Sequence, residues 1–223
     1  RQLKMMSNFS KYFSEFLGTF FLVCTVVGSG FMAQNLYSES LGGMLLANTI
    51  ATGAILVVLI NVFNELSDSH FNPVVSFCFF LKKSISFIEM LFLWISQIIG
   101  GFFGTIIANI MFKNKYISVS SVDRLGFNLF LSEVIATFGL ILIIFILSTK
   151  KNKFNTGIAV GLYITSAYWF TSSTSLANPA VTIARVFTEN FTGISPNSIL
   201  YFITAQFLGG ILAMVVMRFF NEE

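Results

Sequence analysis

His70-Phe71-Asn72-Pro73-Val74 and Ala177-Asn178-Pro179-Ala180-Val181 are the stretches whose reading decides the fold. Asn is a preferred helix N-cap and Pro a preferred first helical residue, so each Asn-Pro marks the start of a helix. The apolar runs they open, residues 72–81 and 178–188, reach only ~15 Å at 1.5 Å per residue, half of a ~30 Å hydrocarbon core. They are expected to be re-entrant half-helices, which a membrane tolerates only where protein or a water-filled cavity surrounds them. A lone Asn-Pro would be an ordinary cap in a loop. Two of them, 106 residues apart in a very apolar chain, point to a two-fold repeated channel.

Of 223 residues, 55% are hydrophobic and 10% charged, with a mean hydropathy of +0.81. Soluble domains carry about 25% charged residues, so this is an integral membrane protein. A net charge of +3 with scattered Lys and Arg excludes a nucleic-acid partner. Six segments approach the ~20 apolar residues of a span: residues 12–34, 44–64, 87–112, 127–148, 154–170 and 198–220. The fifth is the weakest, being short and carrying Thr165, Ser166 and Tyr168. The first run has no small-residue cleavage signature and is expected to be a true span, not a signal peptide. The expected fold class is therefore an all-α membrane protein of six spans and two half-helices.

Six spans bring both termini to one side. That side would hold Arg1, Lys4, Lys11, Lys82, Lys83, Lys150, Lys151, Lys153 and Arg218, against Lys113, Lys115, Arg124 and Arg185 on the other. The positive-inside rule puts both termini in the cytoplasm. The Asn72 half-helix then enters from inside and the Asn178 one from outside, so that their N-termini meet at mid-membrane.

An internal repeat supports this arrangement. Glu15-Phe16-Leu17-Gly18-Thr19-Phe20 matches Glu133-Val134-Ile135-Ala136-Thr137-Phe138, and Asn48-Thr49 matches Asn155-Thr156. Gln97-Ile98-Ile99-Gly100-Gly101 matches Gln206-Phe207-Leu208-Gly209-Gly210. Three spans per half force the halves into opposite orientations, and inverted repeats place their site at the interface near the midplane. One domain is expected over residues 1–223, with repeats of about 11–112 and 127–220.

Asn72 and Asn178 can each cap a half-helix with the side-chain oxygen while the amide faces the pore. A water there turns its oxygen to the two donors, which breaks the file a proton needs, and the converging helix dipoles repel cations. Glu15 and Glu133 are intramembrane acids, open to a proton-relay role. Their duplication favours a supporting one, each accepting backbone N–H groups from the lead-in to a half-helix. Gln97 and Gln206, beside Gly pairs, read as polar contacts at close helix crossings. His70, the single His, either senses pH or fixes its loop. With no second His and no Cys cluster, no metal site is expected. Cys24 and Cys78 are expected to be small buried hydrophobes. The hydroxyl run 171–175 is expected to line the external mouth and hydrate a neutral solute.

At these residues the sequence resembles the aquaporin (major intrinsic protein) family, over about residues 11–220. Paired Asn-Pro-Ala-type motifs, Glu-x-x-x-Thr-Phe early in spans one and four, and His-Phe-Asn-Pro carry the resemblance. It implies an hourglass of six helices and two half-helices, a homotetramer with one pore per subunit, and passive conduction of water or small uncharged solutes. No cofactor and no enzymatic activity are implied. Asn72 and Asn178 are carried over as the pore-centre donors. The first motif ends in Val74 instead of Ala. Where family members usually have a filter Arg after the second motif, this chain has Val181.

Counted from the motifs, the filter positions are Thr52, Ser166 (or Tyr168 if the outer loop is shorter), Ser175 and Val181. This filter looks wider and less selective than a water-only one. Arg185, four residues on, is expected on the same helical face, either in the outer vestibule or as a lipid-headgroup anchor. The run after the second motif looks like a bacterial branch linked to metalloid acids such as arsenous acid and methylated arsenicals, which implies a bacterial inner membrane. A water-selective channel, a closed structural protein and a proton-coupled transporter are the alternatives.

Overall fold

The computed structural model describes residues 2–148 and 154–220, with side chains in the first helix from Asn8 onward. Eight α-helices and no strands are present among these residues: α1 Gln2–Leu36, α2 Leu41–Ser67, α3 Pro73–Leu81, α4 Phe87–Met111, α5 Phe127–Leu147, α6 Thr156–Phe170, α7 Pro179–Ala184 and α8 Ile199–Arg218. Six are long and two are short, in the order the two Asn-Pro motifs imply. Of the basic residues that set the expected orientation, Arg1, Lys150, Lys151 and Lys153 lie outside the described residues, as does the side chain of Lys4.

Five of the helices are long and apolar enough to cross a membrane. The sixth, α6, has 15 residues, about 22 Å of helix. Its brevity traces to one anchor of the repeat. Asn155 caps α6, its side chain accepting from Ile158 N at 2.9 Å. Its counterpart Asn48 lies inside α2 and donates to Val26 O at 2.8 Å and Ser29 Oγ at 2.9 Å. The turns that precede Asn48 in α2 have no equivalent in α6.

Side chains are distributed as a lipid solvent demands. Ile50, Val58, Phe92, Ile99 and Phe103 are exposed, whereas Glu15, Thr19, Gln97, Glu133, Thr137 and Gln206 are fully buried. An apolar exterior needs no cover in hydrocarbon, while polar groups must find partners inside. Cys78 is buried and Cys24 half-buried, both as free thiols.

Close crossings hold the helices. In the first repeat α4 packs on α1, and a Cβ at Gly100 would run into the Phe16 carbonyl oxygen. In the second, α8 packs on α5, and a Cβ at Gly209 would run into the Val134 carbonyl oxygen. These are the same pairs by the repeat. Across the halves, α2 meets α6 at two glycines that face each other. A Cβ on Gly161 would stand 2.7 Å from Gly53 O, and one on Gly53 3.1 Å from Gly161 O.

Gly100→Leu is expected to push α4 off α1 and destabilise the fold by about 1–3 kcal/mol. Gly42→Leu, with no atom within 4 Å of an added Cβ, should leave stability unchanged. The thermal midpoint of each variant in detergent checks the pair.

Candidate pore and its outer ring

The two Asn-Pro motifs cap their half-helices in nearly the same way. Asn72 is extended (φ −155°) and accepts from Val74 N at 3.0 Å. Asn178 (φ −157°) accepts from Ala180 N at 3.0 Å and Val181 N at 3.3 Å. The amides cross between the repeats. Asn72 Nδ2 donates to Ala177 O and Asn178 Nδ2 to Phe71 O, both at 2.8 Å. Each amide has two N–H groups, so one remains beyond this strap.

Each lead-in bends through left-handed residues: Asp68, Ser69 and Phe71 before Asn72, and Thr174, Ser175 and Ala177 before Asn178. Such conformations cost about 1–2 kcal/mol per non-glycine residue and must be compensated. Buried carboxylates do this. Glu15 accepts from His70 N at 2.8 Å, Phe71 N at 2.7 Å and Gln97 Nε2 at 2.7 Å. Glu133 accepts from Leu176 N at 2.9 Å, Ala177 N at 2.8 Å, Gln206 Nε2 at 2.7 Å and Ser173 Oγ at 2.6 Å. The Gln side chains also reach into the half-helices, Gln97 to Ser76 Oγ at 3.0 Å and Gln206 to Thr182 Oγ1 at 2.9 Å.

A narrow cavity of about 60 Å³ runs through this junction. At ~10–15 Å³ per water it has room for a short file of roughly four to six. Leu22, Val26, Leu56, Ile60, Leu140, Val160 and Ile164 form most of its wall. Polar positions are few: Thr52, Ser69, His70, Asn72, Tyr168, Ser175, Asn178 and Arg185, with Val181 among them. His70 Nδ1 lies 3.0 Å from Ser76 Oγ. His70 Nε2 and Ser175 Oγ have no partner among the described residues, which leaves both to a solute. Glu15 and Glu133 do not line the cavity.

Three expectations change around Val181 and Arg185. Ser166 is exposed on the outer face of α6, against Ile143, Ile146 and Leu147, and does not reach the cavity. Tyr168 does, with its hydroxyl 3.2 Å from Thr52 Oγ1. Two residues along a helix turn the side chain ~200° around the axis, so a count displaced by two selects the opposite face. Of the hydroxyl run, only Ser175 lines the cavity. Ser173 bonds Glu133, Thr171 its own helix at Ala167 O, and the exposed Ser172 the half-buried Ser132. Helix α7 ends at Ala184 in a single 3₁₀ turn, Arg185–Phe187, earlier than the motif's apolar run implies. Arg185 nonetheless lines the cavity with Val181, 2% exposed, its Nε bonded to Thr192 O.

Arg124 carried no sequence signal. It comes from the long connection between α4 and α5, donating from Nε to Gly193 O at 2.8 Å, Nη2 to Phe191 O at 3.0 Å and Nη1 to Ser173 O at 3.4 Å. It thereby ties its own connection to the segment at Ser173 and to that at Phe191–Gly193. Burial draws its guanidinium below the ordinary Arg range, opposed by the Glu133 carboxylate and then the Tyr168 phenol.

Fold and site together define a membrane channel for water and small solutes. The Major intrinsic protein family model matches residues 2–176, and the chain belongs to that family. Aquaglyceroporin AqpS of Rhizobium meliloti (strain 1021) is 44% identical over 205 residues, 92% of this chain and 87% of that protein. Aquaporin NIP2-2 of Zea mays is 27% identical over 191 residues, 82% of this chain and 64% of that protein. The X-ray structure of the aquaglyceroporin from Plasmodium falciparum matches with a TM-score of 0.74 over 96% of each chain, at 20% identity, a likeness of fold.

Glu15→Ala and Glu133→Ala each orphan two buried backbone N–H groups, at about 1–3 kcal/mol per group. Both are expected to lower the thermal midpoint sharply in detergent, and the Gln variants to lie between Ala and wild type.

Proposed function

We propose that this channel passes water and small uncharged solutes, glycerol-like molecules and metalloid acids such as arsenous acid, and excludes ions and protons. The observation that carries the proposal is the single apolar-walled cavity that joins both Asn amides to Val181 and Arg185. In it Asn72 and Asn178 act as the pore-centre donors, each offering its second amide N–H to a passing oxygen. Thr52, Tyr168, Ser175 and Val181 form the selecting ring. Arg185, at the same ring, supplies the positive charge that residue 181 does not. The glycerol-like part of this range follows the name of AqpS, an aquaglyceroporin; the metalloid acids rest on the resemblance of the run after the second motif.

Passive flow is favoured over proton coupling because both acids have their oxygens taken by three or four donors and stand off the cavity. His70 and the Glu pair serve as structural support, holding the lead-ins. We further propose one domain over residues 1–223 built of two repeats (about 11–112 and 127–220), assembled as a homotetramer in a bacterial inner membrane with both termini cytoplasmic.

One observation favours a water-selective channel instead. Tyr168, the larger of the two residues expected at this position, stands in the ring, and its contact with Thr52 narrows the passage. Swelling of proteoliposomes in stopped flow separates the readings with a series of water, glycerol, urea and arsenous acid. Permeability to all above empty liposomes is expected; water alone selects the narrower reading, and none at all removes both. Tyr168→Ala should raise glycerol flux roughly tenfold, equivalent to ~1.4 kcal/mol off its barrier, while Ser166→Ala leaves it unchanged.

Val181→Arg should reduce glycerol flux more than water flux. Equal loss of both in the same assay would remove residue 181 from the ring.

A further inference from the structure

A second concavity lies away from the pore, where α3 and α8 end. It is a groove of about 320 Å³ between the end of α3, the last turn of α5 and the last turns of α8. Phe145 and Met217 are its buried floor, and Leu81, Ile211 and Val215, each more than 40% exposed, are walls that face the bilayer. The two charged residues that line it are both cations, Lys82 and Arg218. Lys82 Nζ sits 5.1 Å from the centre of the Phe145 ring, held over the floor by a cation–π contact.

Each cation ends a helix, and a positive charge at a helix C-terminus offsets the dipole there. That accounts for one cation per helix. It does not account for two helix ends, from opposite repeats, delivering their cations to one apolar groove. Neither Lys82 nor Arg218 forms an ion pair with a carboxylate among the described residues. The groove therefore offers a pair of cations at the membrane surface and an apolar channel leading down from them.

We propose that this groove binds one anionic phospholipid, its phosphate between Lys82 and Arg218 and one acyl chain along Ile211, Met214 and Val215. The argument is charge complementarity above an apolar wall. A soluble anion would use the cations and leave the wall idle; a zwitterionic lipid would use the wall and bring no net charge to the cations. The chain's own Glu222 and Glu223, beyond the described residues, would likewise answer the charge without the wall. The proposal needs only that the protein sits in a membrane, and it stands or falls separately from the solute range of the pore.

Native mass spectrometry of the full chain in detergent tests it, with phosphatidylglycerol and phosphatidylcholine of identical acyl chains. Wild type should hold one phosphatidylglycerol about thirtyfold more tightly than phosphatidylcholine, about fivefold for each cation near the surface. Lys82→Gln and Arg218→Gln should each lose about fivefold, and the double variant the whole preference, while its water permeability stays at the wild-type value. Val215→Trp, which fills the groove, should weaken both lipids. Equal retention of the two lipids by wild type, or a preference that survives in the double variant, overturns the proposal. So does glycerol phosphate binding as tightly as the lipid, which would make this a simple anion site. A preference that emerges only when residues 221–223 are deleted would make the acidic tail the occupant and overturn it as well.

Discussion

Two buried carboxylates hold the centre of this protein open. A chain that enters a membrane, bends and leaves again must carry a non-helical stretch to mid-depth, where no lipid can bond its N–H groups. Glu15 and Glu133 take those groups, two at each lead-in. A charge placed there costs about 2.5 kcal/mol or more, offset here by charge-assisted bonds from backbone, Gln and Ser donors. Because each Gln also touches the half-helix behind its lead-in, one acid positions three elements: the long helix that carries it, the re-entrant segment and the helix that carries the Gln. Remove the acid and there is no reason for Asn72 or Asn178 to stop where they do.

The repeat makes the centre nearly symmetric and leaves the ends different. By the offset of the Asn-Pro motifs, His70 corresponds to Leu176, so an imidazole faces the cavity on one side and an aliphatic side chain on the other. Thr52, Tyr168 and Arg185 bring a hydroxyl, a phenol and a guanidinium to the same cavity. The core is shared by the two repeats, and the difference between them lies in the side chains that line the cavity around it.

The half-helices, the long helices and the acids that brace them were legible in the sequence because each follows from a local rule read twice. Asn-Pro starts a helix wherever it stands, and an acid in an apolar run demands partners. The outer ring was not legible to the same degree. Ser166 and Tyr168 differ by two residues, and the choice between them depends on where α6 begins, which is set by Asn155 acting as a cap instead of lying inside the helix as Asn48 does. Arg124 was invisible for a different reason. Its three carbonyl partners lie 49 or more residues away in sequence, and no spacing rule connects a guanidinium in one loop to carbonyls in two others. Local chemistry can be read from a string; a bond that depends on how two loops are folded over each other cannot.

The crossed straps between Asn72 and Ala177, and between Asn178 and Phe71, also impose an order on biogenesis. Their partners are more than 100 residues apart, so the first half emerges from the ribosome with the Asn72 amide and the Phe71 carbonyl still lacking each other's counterparts. Until α7 arrives, the first half-helix is held by its own half alone, through Glu15 at the lead-in, Gln97 at Ser76 and Trp94 at the Pro73 carbonyl. Each strap joins one half-helix to the other's lead-in, so neither can close before the second Asn-Pro motif has been made. The bonds that join the two halves at this point are the same bonds that fix where the two Asn side chains stand.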